Sequence, residues 1–397
     1  MKNIQLSALF VLFLGLVPLQ AMNNGQDEAR EERPPVVAAA AQRVKTLSVS
    51  VATPWKKASS EMFLLDARTF AILKSTDVAD VEKKSALFAK AAQATALNIE
   101  KINFTRGDKK TFLSFLPHCK KVDRLILIDV TLKQLPKLPC PDRLTCLALN
   151  TVRLETIEGI ADYRNIQHLS LCLVRLLGSL QSDPTAWASI QGLSNLRSLR
   201  ADRSCRFSIA NVMQNNRYLG KFDYNGLIDS EALSALPSSL RRLKLENAHL
   251  DDKTLDLLPT EQLEELVLEN NTFTSLASLQ NAPVRVLSLF YNKQLDQTLA
   301  QVICTMPNLE LLSLMGCDLE DAHIEPLFAL ADKLESFNLL DNKRLSERMR
   351  ERLYSAFGDK VIFEGINRFK DLLQRFIVLN EVLTEDESVD LDETLDP

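Results

Sequence analysis

Apolar residues recur along this chain in one short figure, three positions apart and then two, with a further pair following. Written L-x-x-L-x-L-x-x-(N/C/apolar)-x-L, it begins at Ile99, Val122, Leu144, Ile166, Leu196, Leu219, Leu240, Leu263, Val284, Leu309 and Leu334, eleven times in all. VDRLILIDVTL from Val122, LTCLALNTVRL from Leu144 and LEELVLENNTF from Leu263 are clean copies. IEKINF from Ile99 is degenerate, LRSLRA and LGKFDY from Leu196 and Leu219 are weak, and Val284 and Leu334 open versions with one extra residue. Starts lie 21 to 25 residues apart, except for one gap of 30 that holds QSDPTAW around Asp183-Pro184 and predicts a loop insertion. Within the figure, x-L-x-L-x alternation predicts a short strand with leucines facing inward and the intervening residues outward. One such strand cannot bury its apolar face, whereas stacked turns build a continuous core.

Asn271, Asn292 and Asn342 stand where a side-chain amide can bond the buried backbone of each turn. Cys317 takes that place once, and Val130, Val152 and Val174 fill it with apolar bulk. On these residues the chain resembles the leucine-rich repeat superfamily over about residues 97–363. The resemblance implies an α/β solenoid of about eleven repeats, with a curved parallel sheet on the concave face, helices or 3-10 turns on the convex face, and helical caps. Two flavours are mixed. LETIEGI from Leu154 is similar to the 22-residue internalin type, while Asp296–Met306 and Glu320–Lys333 have the helical spacing of the ribonuclease-inhibitor type. Ser346–Phe357 predicts a last helix and Val361–Phe363 a last strand.

The flanks predict an address, a linker and caps. In residues 1–21, Lys2 precedes an apolar run from Leu6 to Val17 and a small-residue end at Ala21, the pattern of a signal peptide. The run is shorter than the roughly 20 residues that span a bilayer, so the expected chain is exported and not membrane-inserted after leader cleavage. Residues 22–35 read as a disordered linker closed by Pro34-Pro35. Residues 36–96 hold an alternating Leu47–Val51 and a helical Glu82–Thr95, and read as an N-terminal cap or small module. Ile366, Phe369, Leu373, Phe376, Ile377 and Leu383 line one face of an expected capping helix over 364–383. Residues 384–397 read as an acidic disordered tail.

Charge and composition narrow the functional classes. The stretch 381–397 holds eight carboxylates; without them and the leader's single lysine, 46 basic residues face 44 acidic ones in 22–380. The body is near neutral, so nucleic acid is not an expected partner. Only 11 glycines and four histidines occur, and no phosphate-loop, zincin, C-x-x-C or nucleophile-elbow motif is present, so neither catalysis nor a cofactor is expected. Seven cysteines are too sparse for a disulfide framework. Cys146 and His168 fall at the same outward position of neighbouring repeats, about 5 Å apart across stacked strands, but no third ligand completes a metal site.

The outward positions give the most specific expectation. The middle repeats carry mixed charge, with Arg200, Lys221, Arg242 and Lys244 beside Asp223, Glu246, Glu265 and Glu269. The last third carries Val267, Val286, Phe290, Tyr291, Leu311, Met315 and Leu340. Together these predict a protein-binding site on the concave face, its apolar part an exposed patch of the kind that marks interfaces. The competing expectation is an effector or adaptor that recruits ubiquitination machinery through the N-terminal module.

Overall fold

The computed structural model describes residues 62–102, 104, 108–178 and 184–363. The leader, the linker, the Leu47–Val51 strand, most of the Asp183 insertion, the 364–383 helix and the acidic tail lie outside the described residues.

The alternating leucines form one parallel sheet of thirteen strands. Its order is β1 (Met62–Leu65), β2 (Ala96–Glu100), β3 (Arg124–Ile128), β5 (Cys146–Asn150), β7 (His168–Cys172), β9 (Ser198–Asp202), β10 (Lys221–Asn225), β11 (Arg242–Glu246), β12 (Glu265–Glu269), β13 (Val286–Ser288), β14 (Leu311–Ser313), β15 (Ser336–Asn338) and β16 (Val361–Ile362). The missing numbers are β4 (Thr131–Leu132), β6 (Arg153–Leu154) and β8 (Arg175–Leu176), which form a second, three-stranded parallel sheet. Equivalent positions pair across every repeat, as in Cys146 with His168, Glu265 with Val286 and Leu311 with Ser336. Inward leucines such as Leu243, Leu266, Leu287 and Leu312 are fully buried, and a single apolar core runs from Phe63 to Phe363.

The return segments change along the chain. Turns of 3-10 helix, such as Glu158–Asp162, back the early repeats. Helices then take over: after α1 (Ala67–Lys74), α2 (Val81–Gln93) and α3 (Asp108–Phe115) at the start come α4 (Ala188–Gln191), α5 (Ile209–Asn215), α6 (Ser230–Ser234), α7 (Asp252–Leu255), α8 (Leu299–Thr305), α9 (Asp321–Ile324) and α10 (Glu347–Phe357). Helical backing therefore begins well before Val284. Within Glu320–Lys333 only the first turn is α-helical, and 3-10 geometry continues from Glu325, where Pro326 follows. The expected helix Ser346–Phe357 and final strand are present, with Ser346 capping α10 by accepting the Met349 N–H.

Buried amides close the later turns. Asn271 Oδ1 accepts the Ala248 and Leu250 N–H groups at 3.1 and 3.2 Å, and its Nδ2 donates to the Leu245 carbonyl. Asn292 donates to the Leu268 and Leu289 carbonyls and accepts the Asn271 N–H, so consecutive turns are tied. The Cys317 thiol donates to the Leu289 carbonyl from the same place. Where that place is valine, backbone pairs such as Arg153 N–H to the Val130 carbonyl supply the tie instead, through the second sheet.

Two expectations are corrected. The first repeat does not start at Ile99: Ala96 pairs with Arg124 and Leu97 with Leu125, so Leu97 and Ile99 are the inward pair. Ala96, Asn98 and Glu100 take the outward places that the Ile99 start assigned to Lys101, Asn103 and Thr105. Lys101 instead has φ 54°, the left-handed exit that Asp129, Thr151, Leu173, Asn247, Asn270, Tyr291 and Asp341 adopt in their own repeats. The sheet also begins a turn earlier than expected, because β1 pairs in parallel with β2. Phe63, Leu65, Phe70, Leu73 and Ala91 join the common core, so the described part of 36–96 is the solenoid's first turn and not a separate body.

Candidate functional site

The parity of each strand places the side chains that flank the core leucines on the sheet's outer, concave face. From β3 to β7 this row is small or aliphatic and half-exposed, with Ile126, Ala148 and Ser170 in line. Across β9 to β12 it becomes charged, and from β12 to β16 largely apolar or hydroxylic.

The charged stretch is an interlocked mesh. Arg242 bridges Asp223 on β10 and Glu265 on β12, both at 3.3 Å. Lys244 contacts Glu246 at 2.6 Å and Glu269 at 3.8 Å, and Asn225 donates to the other Glu246 oxygen. Burial works against the Lys244 charge, but Glu269 and Glu246 outweigh it and raise its pKa. Burial likewise opposes the Glu246 charge, yet Lys244 and hydrogen bonds hold its pKa low. Glu269 is pushed up to about 8, by burial first and then by Glu246, so these two carboxyls divide the proton and the charge between them. Burial also raises Glu265. Arg242 and Lys244 are thus paired within the face with the carboxylates expected beside them. Arg200 and Lys221 stand in register with this mesh, half-exposed.

The apolar third keeps its expected orientation but not its expected exposure. Val267, Val286, Leu311 and Met315 point away from the core: none belongs to the core cluster that contains their neighbours Leu266, Leu287, Leu312 and Leu314. All four are nevertheless buried, Leu311 completely and Met315 to 7% exposure. Ser288, Ser313, Ser336 and Asn338 in the same rows are buried too, as is Ile362, which extends the row onto β16. Phe290, Tyr291 and Leu340 at the strand exits remain half-exposed. Phe290 and Tyr291 meet edge to face at 6.4 Å, and the Tyr291 ring lies where a Cβ on Gly316 would stand, 2.5 Å away. This stretch is therefore a closed surface with an aromatic margin, and not an open apolar patch. Ile362 was missed because a two-residue strand shows no alternation; its signal was the in-phase Val361–Phe363 run.

Cys146 and His168 are adjacent as expected. Burial pushes the Cys146 thiol up to about 11, which keeps it protonated near neutral pH and unsuited to act as a thiolate nucleophile. Among the described residues no group of three His, Cys, Asp or Glu side chains is placed to hold a metal ion, and no cysteine is in a disulfide. No described helix is long and apolar enough to cross a membrane.

In-register parallel strands, a buried asparagine at the turn and a left-handed strand exit in repeat after repeat define a leucine-rich repeat solenoid. No family model matches the sequence, and no curated protein does. Solved structures do. Internalin C2 of Listeria monocytogenes is 20% identical, with a TM-score of 0.36 over 51% of this chain and 83% of that one. The internalin inlF of the same organism is 16% identical, with a TM-score of 0.44 over 75% and 94%. A chain of the yeast Rad7 and Elc1 complex is 13% identical, with a TM-score of 0.39 over 80% and 96%.

Proposed function

We propose that the chain is an exported, non-catalytic scaffold that binds a protein partner on the concave face. The observation that carries this reading is the outer row itself. A continuous face of paired charges runs into half-exposed aromatics at Phe290 and Tyr291, the mixture of polar rim and aromatic anchor that protein interfaces favour. The site centres on β10 to β14, with Lys221 and Arg200 on one side and Phe290, Tyr291 and Leu340 on the other. Val267, Val286, Leu311 and Met315 lie in the same face between these two margins. Export rests on the leader-like residues 1–21: mass spectrometry of the exported protein should find its start near Met22, and an exported chain that retains residues 1–21 refutes this.

Affinity capture from the fluid into which the chain is exported, followed by titration with variants of the full chain, tests the binding face. Phe290→Ala and Lys221→Glu should each weaken the captured partner by about 1–4 kcal/mol without moving the melting temperature. Lys253→Ala, exposed on the return segment, should change neither. A partner that is lost with Lys253→Ala and indifferent to both concave variants places the site elsewhere.

A further inference from the structure

The edge at which the chain enters each strand carries opposite charge in its two halves. Over β3 to β10, Lys120, Arg143, Arg164, Arg197 and Arg217 stand there, all exposed, within two residues of the first apolar position of their repeats. None of the five forms an ion pair among the described residues. Asp142 lies among them, while Asp123 and Asp162 are taken by Arg124 and Lys137. Over β12 to β15 the same edge exposes Glu261, Asp332 and Glu335. The cations of that half are engaged: Arg241 with Glu264 at 2.6 Å, Arg285 with Glu310 at 2.9 Å, and Lys333 with the Met306 carbonyl. An open cavity of about 500 Å³ lies beside these pairs, with Glu261, Glu264, Pro283 and Asn308 in its wall. We propose that two copies of this chain pair along this edge, antiparallel, so that the basic half of each meets the acidic half of the other.

Side chains along this edge donate to backbone carbonyls of the turn before, as Asn165 does to Asp142, Asn195 to Arg164 and Ser239 to Arg217. The charges are therefore stacked turn on turn, at the strand spacing. A two-fold axis along the sheet normal, between β10 and β11, sets β9 opposite β12, β5 opposite β14 and β3 opposite β15. Arg197 then faces the cavity with Glu261 in its wall, Arg143 faces Glu310, and Lys120 faces Asp332 and Glu335. Lys120 and Asp332 each lie four and a half strand spacings from that axis, about 22 Å, so the halves match in length. Parallel pairing sets bases against bases and acids against acids, so the charge pattern fixes the direction as well as the partner. The same axis leaves both concave faces on one side of the pair. The contact is narrow and mostly polar, with Tyr218 its large exposed ring, so the dimer is weak and screened by salt.

Sedimentation equilibrium of the full chain tests the pairing. At about 50 mM salt the mass should rise toward that of a dimer as the chain approaches about 100 μM, and at about 500 mM salt it should stay that of a monomer. Lys120→Glu with Arg197→Glu makes one variant, and Glu261→Lys with Asp332→Lys makes another. Each alone should lose at least about tenfold in self-association with an unchanged melting temperature, and an equal mixture of the two should associate again. Carbodiimide should also join Lys120 to Asp332 or Glu335. Within one chain these lie nine strand spacings apart, about 43 Å, so such a link can form only between copies. A chain that stays monomeric at about 100 μM in low salt overturns the proposal and leaves the basic half to a polyanionic partner. A dimer indifferent to both pairs of substitutions, or a mixture that fails to associate, overturns it equally.

Discussion

At the scale of single residues, two buried polar groups set the energetics of the later repeats. Asn292 is fully buried and serves three backbone groups in two turns, so its removal strands those groups without water. Valine occupies the equivalent place in the early repeats, but there the second sheet ties the backbone. Asn292→Val should therefore cost about 2–4 kcal/mol in denaturant unfolding, although it imitates a residue the chain already uses. Glu269 acts in the opposite direction. Its pKa, ordinarily near 4.5, stands near 8 in the folded chain, so over that interval the native state holds a proton that the unfolded chain releases. Its contribution to stability is present in full below about pH 4.5 and is lost as pH rises through about 8. Glu269→Gln keeps the neutral form at every pH. It should flatten the decline in stability between pH 5 and pH 8 and leave the variant the more stable at pH 8, by roughly 1–3 kcal/mol. A wild-type curve that rises over this range would show that the carboxylate, and not the acid, is the form the mesh holds.

At the scale of elements, the sequence was read correctly wherever the whole figure was present and failed where half of it sufficed. Ten of the eleven starts have the register expected of them, from the pairing of Cys146 with His168 to that of Leu311 with Ser336. The exception follows from the repeat itself. Its first three apolar positions are spaced three and two, and its last three have the same spacing, so Ile99, Ile102 and Phe104 imitate a beginning while forming an end. A second copy of the true frame, Leu97 with Ile99, settles the matter only when the neighbouring strand is seen. β1 was invisible for a related reason: MFLL alternates too briefly to signal a strand by itself. Its place in the sheet has a measurable consequence. Phe63 is buried and packs against Phe115 at 5.2 Å, so Phe63→Ala should cost about 3–5 kcal/mol. A separable module at residues 36–96 would instead let the repeats melt unchanged.

At the scale of the whole molecule, the candidate site was legible in direction but not in exposure. Parity assigns a side chain to one face of a sheet, and it did so for Val267, Val286 and Leu311, yet it carries no information about what rests on that face. Nor does it show that Arg242 and Lys244 pair with carboxylates of their own and the adjacent strands. The solenoid's linear build makes a further prediction about how it comes apart. Each turn touches mainly the turns beside it, so stability is a sum of local terms and nearest-neighbour interfaces. A defect at an end frays that end, while a central defect breaks the array. Trp187, fully buried between β8 and β9, reports on the first half of the sheet. With Trp55 replaced by Phe, it is the only tryptophan left. Phe337→Ala on β15 should then lower the denaturant midpoint seen by far-ultraviolet dichroism while the Trp187 fluorescence midpoint stays in place, splitting one transition into two. Leu243→Ala on β11 removes a side chain of the central core at a cost of about 2–5 kcal/mol, and it should draw both midpoints down together. Coincident shifts with Phe337→Ala would mean that the solenoid unfolds as one unit, its interfaces strong enough to override the independence of its turns.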